Sequence, residues 1–274
     1  LAGTGSKLPS KILTNDDLSK IVDTSDEWIS QRTGIRQRHV IGENESLVSL
    51  AFEAGKEALE SANIEGKDLG LIIVGTSTQD KRLPNTACEL QPLLGAKDCA
   101  CMDVSSACSG FIYALSIAYS MMNTLGIEYT LVVGGDVLSR EMDWTDRTTC
   151  VLFGDGVGAA VLKKSDIETG FLSFDIGADG SKGFALYDNS YGDDRYIKMD
   201  GQEVFKFTVR TVPNSIKKAI EKAGVNKDDI DVFLLHQANL RILEAVSKKL
   251  DIPLEKLPHN LGKTGNNSSR RNSN

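Results

Sequence analysis

The sequence predicts an α/β fold, a mostly parallel sheet covered by helices on both faces. Three observations carry this expectation. Short apolar runs such as 71–75 and 130–134 alternate with helical patterns such as 46–63 and 109–124. The runs are apolar at consecutive positions, which suits strands buried on both faces. The same grammar then restarts near 165–170, so the 274 residues read as two passes, 1–166 and 167–274. No sequence repeat accompanies the restart.

Composition bounds the class. With 41% hydrophobic and 25% charged residues the chain falls in the range of soluble globular proteins. Its apolar runs are far too short to span a bilayer, so no membrane association is expected. The N-terminus lacks the basic and apolar regions of a secretory leader, which points to a cytoplasmic protein. A net charge of −7 argues against nucleic acid as the main partner. The five cysteines are odd in number and lack framework spacing, so reduced thiols are expected. With three scattered histidines they form no metal-ligand pattern.

The chain opens at 1–5 inside a first strand. Thr24 and Glu27 have the spacing of a capping box and open a short helix that sets Trp28 and Arg32 one turn apart. That pair reads as a platform for an adenine ring and phosphates, or as a surface tryptophan packed by an arginine stem. Residues 46–63 form an amphipathic helix with Leu47, Leu50, Ala51, Ala54 and Ala58 on one side. Leu71–Gly75 is a buried strand, and 85–94 is helical with Pro92 disturbing its last turn.

Strand 99–104 then leads into helix 109–124, with Cys108 at the junction among Ala, Ser and Gly. Small neighbours leave room for a substrate, and a helix N-terminus favours thiolate over thiol. Ligands bind beyond the C-terminal strand ends of such sheets, where Cys108 falls. It reads as a nucleophile or as a small buried hydrophobe. The glycine-rich 153–161 lacks the Lys-Ser/Thr ending of a phosphate loop and reads as a tight turn between strands 151–153 and 158–163.

The second pass supplies a strand at 171–176, a helix at 203–223, a strand at 232–235 and a helix at 240–250. His236 ends the second of these strands, at the rim where catalytic groups collect, and Asn239 starts the next helix. A satisfied, half-buried histidine is the competing reading. Residues 264–268 make a polar turn. Lys206, Arg210 and Lys217 on one helix and Arg241, Lys248 and Lys249 on the next form a basic patch in an acidic chain. Such a patch suits an acidic partner, although solvated helix faces look alike.

Ser-Ala-Cys-Ser-Gly-Phe around Cys108, His-Gln-Ala-Asn at 236–239 and Gly-Asn at 265–266 resemble the β-ketoacyl-acyl carrier protein synthase III family in order and spacing. Thr24–Trp28, Arg32–Arg36, Phe153–Gly156 and Val204–Lys206 extend the resemblance along the chain. It implies the thiolase fold, two βαβαβαββ halves in an αβαβα sandwich. The half at 1–166 carries Cys108, and that at 167–274 carries His236 and Asn266.

The resemblance also implies a cytoplasmic homodimer without a cofactor that uses an acyl-CoA and malonyl-acyl carrier protein. The implied reaction is a decarboxylative Claisen condensation that initiates type II fatty acid synthesis. Cys108 would be the nucleophile, with His236 and Asn266 as hydrogen-bond donors. Trp28 and Arg147 would sandwich the CoA adenine, with Arg32 near its phosphates and Asn239 at the pantetheine arm. Phe153 would lie at the acyl pocket, and Leu83 would reach across the dimer to close it. Lys206, Arg241, Lys248 and Lys249 match the surface that meets the carrier protein.

One region departs from the pattern. The family follows its Gly-Asn-Thr-Ser turn with a helix, two strands and a glycine-rich segment. Here Asn267 replaces the threonine, Arg270 and Arg271 replace small residues, and the sequence stops at Asn274. The expectation is therefore an incomplete second half, short of one backbone donor for the oxyanion, and unstable or inactive as written. The alternatives are a related CoA-dependent condensing enzyme of polyketide type, or an inactive truncated thiolase-fold protein. A hydroxymethylglutaryl-CoA-forming enzyme needs a glutamate base near the cysteine, and none stands out.

Overall fold

A computed structural model describes residues 1–165, 170–189 and 195–266. In chain order the first half comprises β1 (Gly3–Lys7), β2 (Lys11–Thr14), α1 (Asn15–Leu18), α2 (Asp26–Thr33), β3 (Gln37–Val40) and α3 (Leu47–Ala62). It continues through β4 (Leu71–Gly75), α4 (Thr86–Leu93), β5 (Ala100–Val104), α5 (Gly110–Leu125), β6 (Tyr129–Asp136) and β7 (Gly156–Lys163). Without the β2–β3 excursion this is a βαβαβαββ unit.

The five strands order as β1-β7-β6-β4-β5. β4 runs parallel to β5 and β6, while β7 pairs antiparallel with both β6 and β1. All five residues of β4 are buried, as its unbroken apolar run requires. One layer packs α3 and α4 residues against Ile72, Val74, Leu131 and Val133. The opposite layer packs Ala114, Leu115, Ala118 and Met122 of α5 against Leu71, Ile73 and Val132. Alternate residues of one strand thus serve opposite faces.

Helix 46–63 emerges as expected, with Ser46 and Ser49 reciprocally capping its start. The cap of α2 sits one residue later than the spacing suggests. Ser25 Oγ accepts from Trp28 N at 3.1 Å, whereas Thr24 Oγ1 is buried without a partner. Nor does 151–153 form a hairpin with β7. Both edges of β7 are already taken by β6 and β1, so Phe153 instead bridges to Asn266.

The second pass differs more. It holds a short ladder of β8 (Leu186–Tyr187) with β9 (Lys198–Met199), then α6 (Gly201–Ala223), α7 (Leu240–Leu250) and α8 (Leu261–Thr264). The expected strands 171–176 and 232–235 form no ladder, and among the described residues no strand lies beside either. Leu172 and Val232 are accordingly 64% and 50% exposed. Both helices nevertheless pack well. Val212, Ile216 and Ile220 of α6 meet Ile242, Val246 and Leu250 of α7 around Phe233. The half boundary at 166/167 and the departure at Asn267 lie outside the described residues. Among those residues, no helix is long and apolar enough to cross a membrane.

Candidate active site

The position of Cys108, the expected nucleophile, is built by close backbone approach. A Cβ on Gly75, at the end of β4, would lie 2.6 Å from the Gly110 carbonyl carbon and 2.7 Å from its oxygen. Glycine at both places lets the start of α5 rest directly on the strand end. Between β5 and α5 the chain makes a tight turn at Ala107–Ser109, and Ala107 takes a left-handed φ of 44°. A non-glycine residue in that region is strained, and such strain concentrates at functional sites. Cys108 follows it, accessible from solvent and two residues ahead of α5. Asp103 steadies the approach, its carboxylate accepting from Thr86 N at 2.8 Å and Ala87 N at 2.9 Å.

The Asp136 carboxylate is buried at the end of β6. It accepts from Thr76 Oγ1 at 3.1 Å, Ser77 N at 2.8 Å and Thr78 Oγ1 at 3.2 Å, tying the ends of β4 and β6 together.

His236 arrives from the second pass. Phe233 anchors its segment in the α6–α7 core and donates its N–H to Lys256 O at 2.7 Å. Gln237 Oε1 accepts from Asn260 N at 2.8 Å on the other side. The ring Nε2 is buried and has no hydrogen-bond partner. Desolvation pushes the Cys108 thiol up, but the His236 imidazole outweighs it and holds the thiol below its ordinary range, with Asp136 opposing. Desolvation likewise pushes the His236 imidazole down, and the Cys108 sulfur outweighs it, leaving the ring above its ordinary value. Each group thus eases ionisation of the other.

The same framework leads to Asn266. Asn260 precedes α8, whose Leu261 O accepts from Gly265 N at 3.1 Å. Asn266 is buried, donates its N–H to Leu152 O at 3.0 Å and accepts from Gly154 N at 2.9 Å. Phe153, the expected acyl-pocket residue, is therefore its direct neighbour, packed with Met142 and Ile197.

Other candidates gather in separate places. The Arg32 and Arg147 guanidiniums lie 4.4 and 5.0 Å from the Trp28 ring centre, and Arg147 also donates to Asp23 O at 2.7 Å. Lys206, Asn239 and Arg241 line a cleft of about 380 Å³ with Gly201, Gln202 and Phe205. Asn239 also caps α7, its side chain accepting from Arg241 N at 2.9 Å. Lys248 and Lys249 occupy the last turn of α7, where Lys249 Nζ donates to Val209 O at 3.1 Å. Leu83 stands apart and 87% exposed. Among the described residues no group of three or more His, Cys, Asp or Glu could hold a metal.

Residues 102–180 match the family profile described as 3-oxoacyl-[acyl-carrier-protein (ACP)] synthase III, and residues 220–271 match its C-terminal profile. The β-ketoacyl-[acyl-carrier-protein] synthase III of Xanthomonas euvesicatoria is 47% identical, covering 98% of this chain and 85% of that protein. The chain belongs to the β-ketoacyl-acyl carrier protein synthase III family. Its members are acyltransferases of fatty acid biosynthesis, and this chain is one of these condensing enzymes. The enzyme of the same name from Oceanobacillus iheyensis is 48% identical, with the same coverage of both chains. The crystal structure of 3-oxoacyl-[acyl-carrier-protein] synthase III from Aquifex aeolicus superposes with a TM-score of 0.94 at 46% identity, over 98% of this chain and 86% of that one. The thiolase fold expected from the sequence is thereby established.

Within this family assignment, Asp136 and Arg38 are features that the sequence reading passed over. Asp136 ends an apolar strand, and nothing in its neighbours signals that its carboxylate ties β6 to the end of β4 and acts on the Cys108 thiol. Arg38 reads as an ordinary charged residue on a short strand.

Proposed function

We propose that this chain takes a short acyl group from an acyl-CoA onto Cys108 and condenses it with malonyl-acyl carrier protein, as a cytoplasmic homodimer. The observation that supports the reading is the Cys108–His236 pair, in which each group eases ionisation of the other, so that the thiolate is easier to reach than in an isolated cysteine. The thiolate attacks the thioester carbon, the carbon–sulfur bond to CoA breaks, and CoA leaves with the proton held by His236. No cofactor is required, since the CoA thioester enters as substrate.

In the second half-reaction the malonyl carboxylate leaves as CO₂, and its bonding electron pair passes onto the thioester as an enolate. A neutral imidazole N–H from His236 and the amide of Asn266 stabilise that oxygen. The carbanion then attacks the acyl carbon on Cys108, and the carbon–sulfur bond breaks to restore the thiolate. The unpartnered Nε2 of His236 suits a donor kept for substrate. Trp28 with Arg147 would hold the adenine, Arg32 the phosphates, Asn239 the pantetheine arm, and Phe153 and Leu83 the acyl chain. Lys206, Arg241, Lys248 and Lys249 would face the acidic carrier protein, a reading supported by the cleft that two of them, Lys206 and Arg241, line.

Asn266→Ala separates the half-reactions. Acyl transfer from acetyl-CoA persists, while 3-oxoacyl product formation falls by about 10²–10³, the usual cost of one oxyanion donor. Equal loss of both steps in a folded variant would remove Asn266 from the proposed role.

A further inference from the structure

Arg38 is fully buried, and among the described residues no carboxylate pairs with it. Its Nη1 donates to Leu13 O at 3.2 Å and Asn15 Oδ1 at 2.9 Å, and its Nη2 donates to Val151 O at 2.7 Å. Nε is buried without a partner. Burial drives the guanidinium down to about 10. An apolar residue of similar volume would fill this space without desolvating a charge, so packing alone gives no reason for an arginine here.

The bonds that Arg38 makes lead to Asn266. Val151, gripped by Nη2, begins the segment whose Leu152 O and Gly154 N bond the Asn266 backbone at 3.0 and 2.9 Å. The Arg38 stem supports the same bridge from below. A Cβ on Gly154 would lie 2.9 Å from Arg38 Cβ, and one on Gly265 would lie 2.8 Å from it. Gly265 has a φ of +69°, so the turn that delivers Asn266 is left-handed and seated on that stem. Both sides of the Phe153–Asn266 bridge thus rest on one side chain.

We propose that Arg38 is a positioning residue for the condensation half-reaction, setting the place of the Asn266 amide through Val151, Gly154 and Gly265. The proposal rests on the reading of Asn266 as a donor to the enolate oxygen. Because acyl transfer to Cys108 does not use that amide, loss of Arg38 divides the two half-reactions.

The test compares Arg38→Met, Arg38→Lys, Gly265→Ala and Asn266→Ala with the parent chain, each checked for folding by thermal melting. Arg38→Met is expected to acylate Cys108 from acetyl-CoA within about threefold of the parent while kcat for condensation falls about 10–100-fold at unchanged KM for acetyl-CoA. Arg38→Lys restores part of kcat by returning one donor to Val151. Gly265→Ala, strained at its φ of +69° and pushed off the stem, should give the same split by moving Asn266 directly, and if Arg38→Met does not fold, Arg38→Lys decides the matter by showing the split at smaller amplitude. Parallel loss of both half-reactions in folded variants, or loss of neither, overturns the proposal. An Asn266→Ala variant that condenses at the parental rate overturns the donor reading itself. An impaired Asn266→Ala beside unaffected Arg38 variants overturns only the role of Arg38.

Discussion

At the scale of single residues, the thiol of Cys108 and the imidazole of His236 each ease ionisation of the other against desolvation. The sign of each contribution fixes a pH prediction. In the parent chain the imidazole keeps the thiol below its ordinary value of about 8.5. His236→Ala leaves desolvation, the largest cause, and Asp136 pushing the thiol up, against a smaller lowering by a hydrogen bond from the Cys108 backbone. Alkylation of the Cys108 peptide by iodoacetamide, followed by mass spectrometry across pH, should therefore show a midpoint that moves from below to above the ordinary thiol range. An unmoved midpoint would contradict the coupling. Cys108, His236 and Asn266 stood out as candidates because three short motifs lie in an order and spacing that resemble one family, although the Gly-Asn turn alone reads only as a polar turn. Arg38 and Asp136 did not, because their significance lies in contacts with residues distant in sequence. Arg38 reaches Val151, and Asp136 reaches Thr76.

At the scale of elements, catalysis depends on how closely α5 approaches β4. Gly75→Ala would set a methyl group 2.6 Å from the Gly110 carbonyl carbon, and backbone on both sides cannot swing away as a side chain would. The expected cost is about 1–3 kcal/mol in stability, by overpacking. Displacement of the Cys108 turn should also slow acylation about 10²-fold. Chemical denaturation and adduct-formation rates read the two effects separately, and a variant with parental acylation would remove the glycine contact from the account. Helices α3 and α7 were legible because apolar spacing and polar caps are local properties. The stretches 171–176 and 232–235 carry the residues of strands and form none, since a ladder needs a partner that composition does not supply. The cap of α2 shifted by one residue for a similar reason: Thr24 has the capping-box spacing, but the neighbouring Ser25 carries an equally suitable hydroxyl and the fold chooses it.

At the scale of the whole molecule, the net charge of −7 conceals a basic edge along α6 and α7. Lys206 is partly neutralised by Glu203 at 2.8 Å, whereas Lys248 lies on the exposed last turn of α7. If this edge receives an acidic carrier protein, the double variant Lys206→Glu, Lys248→Glu should raise KM for malonyl-acyl carrier protein about tenfold, with the difference shrinking at high salt. Acyl transfer from acetyl-CoA should be unaffected, and an unchanged KM would place the carrier protein elsewhere.

The account as a whole depends on the first covalent step. Purified chain incubated with acetyl-CoA, digested and mapped by mass spectrometry should carry one acetyl group on the peptide containing Cys108, and Cys108→Ser should carry none. Folded protein that remains unacetylated at Cys108, or that acetylates equally at Cys88, Cys99, Cys101 or Cys150, would contradict it.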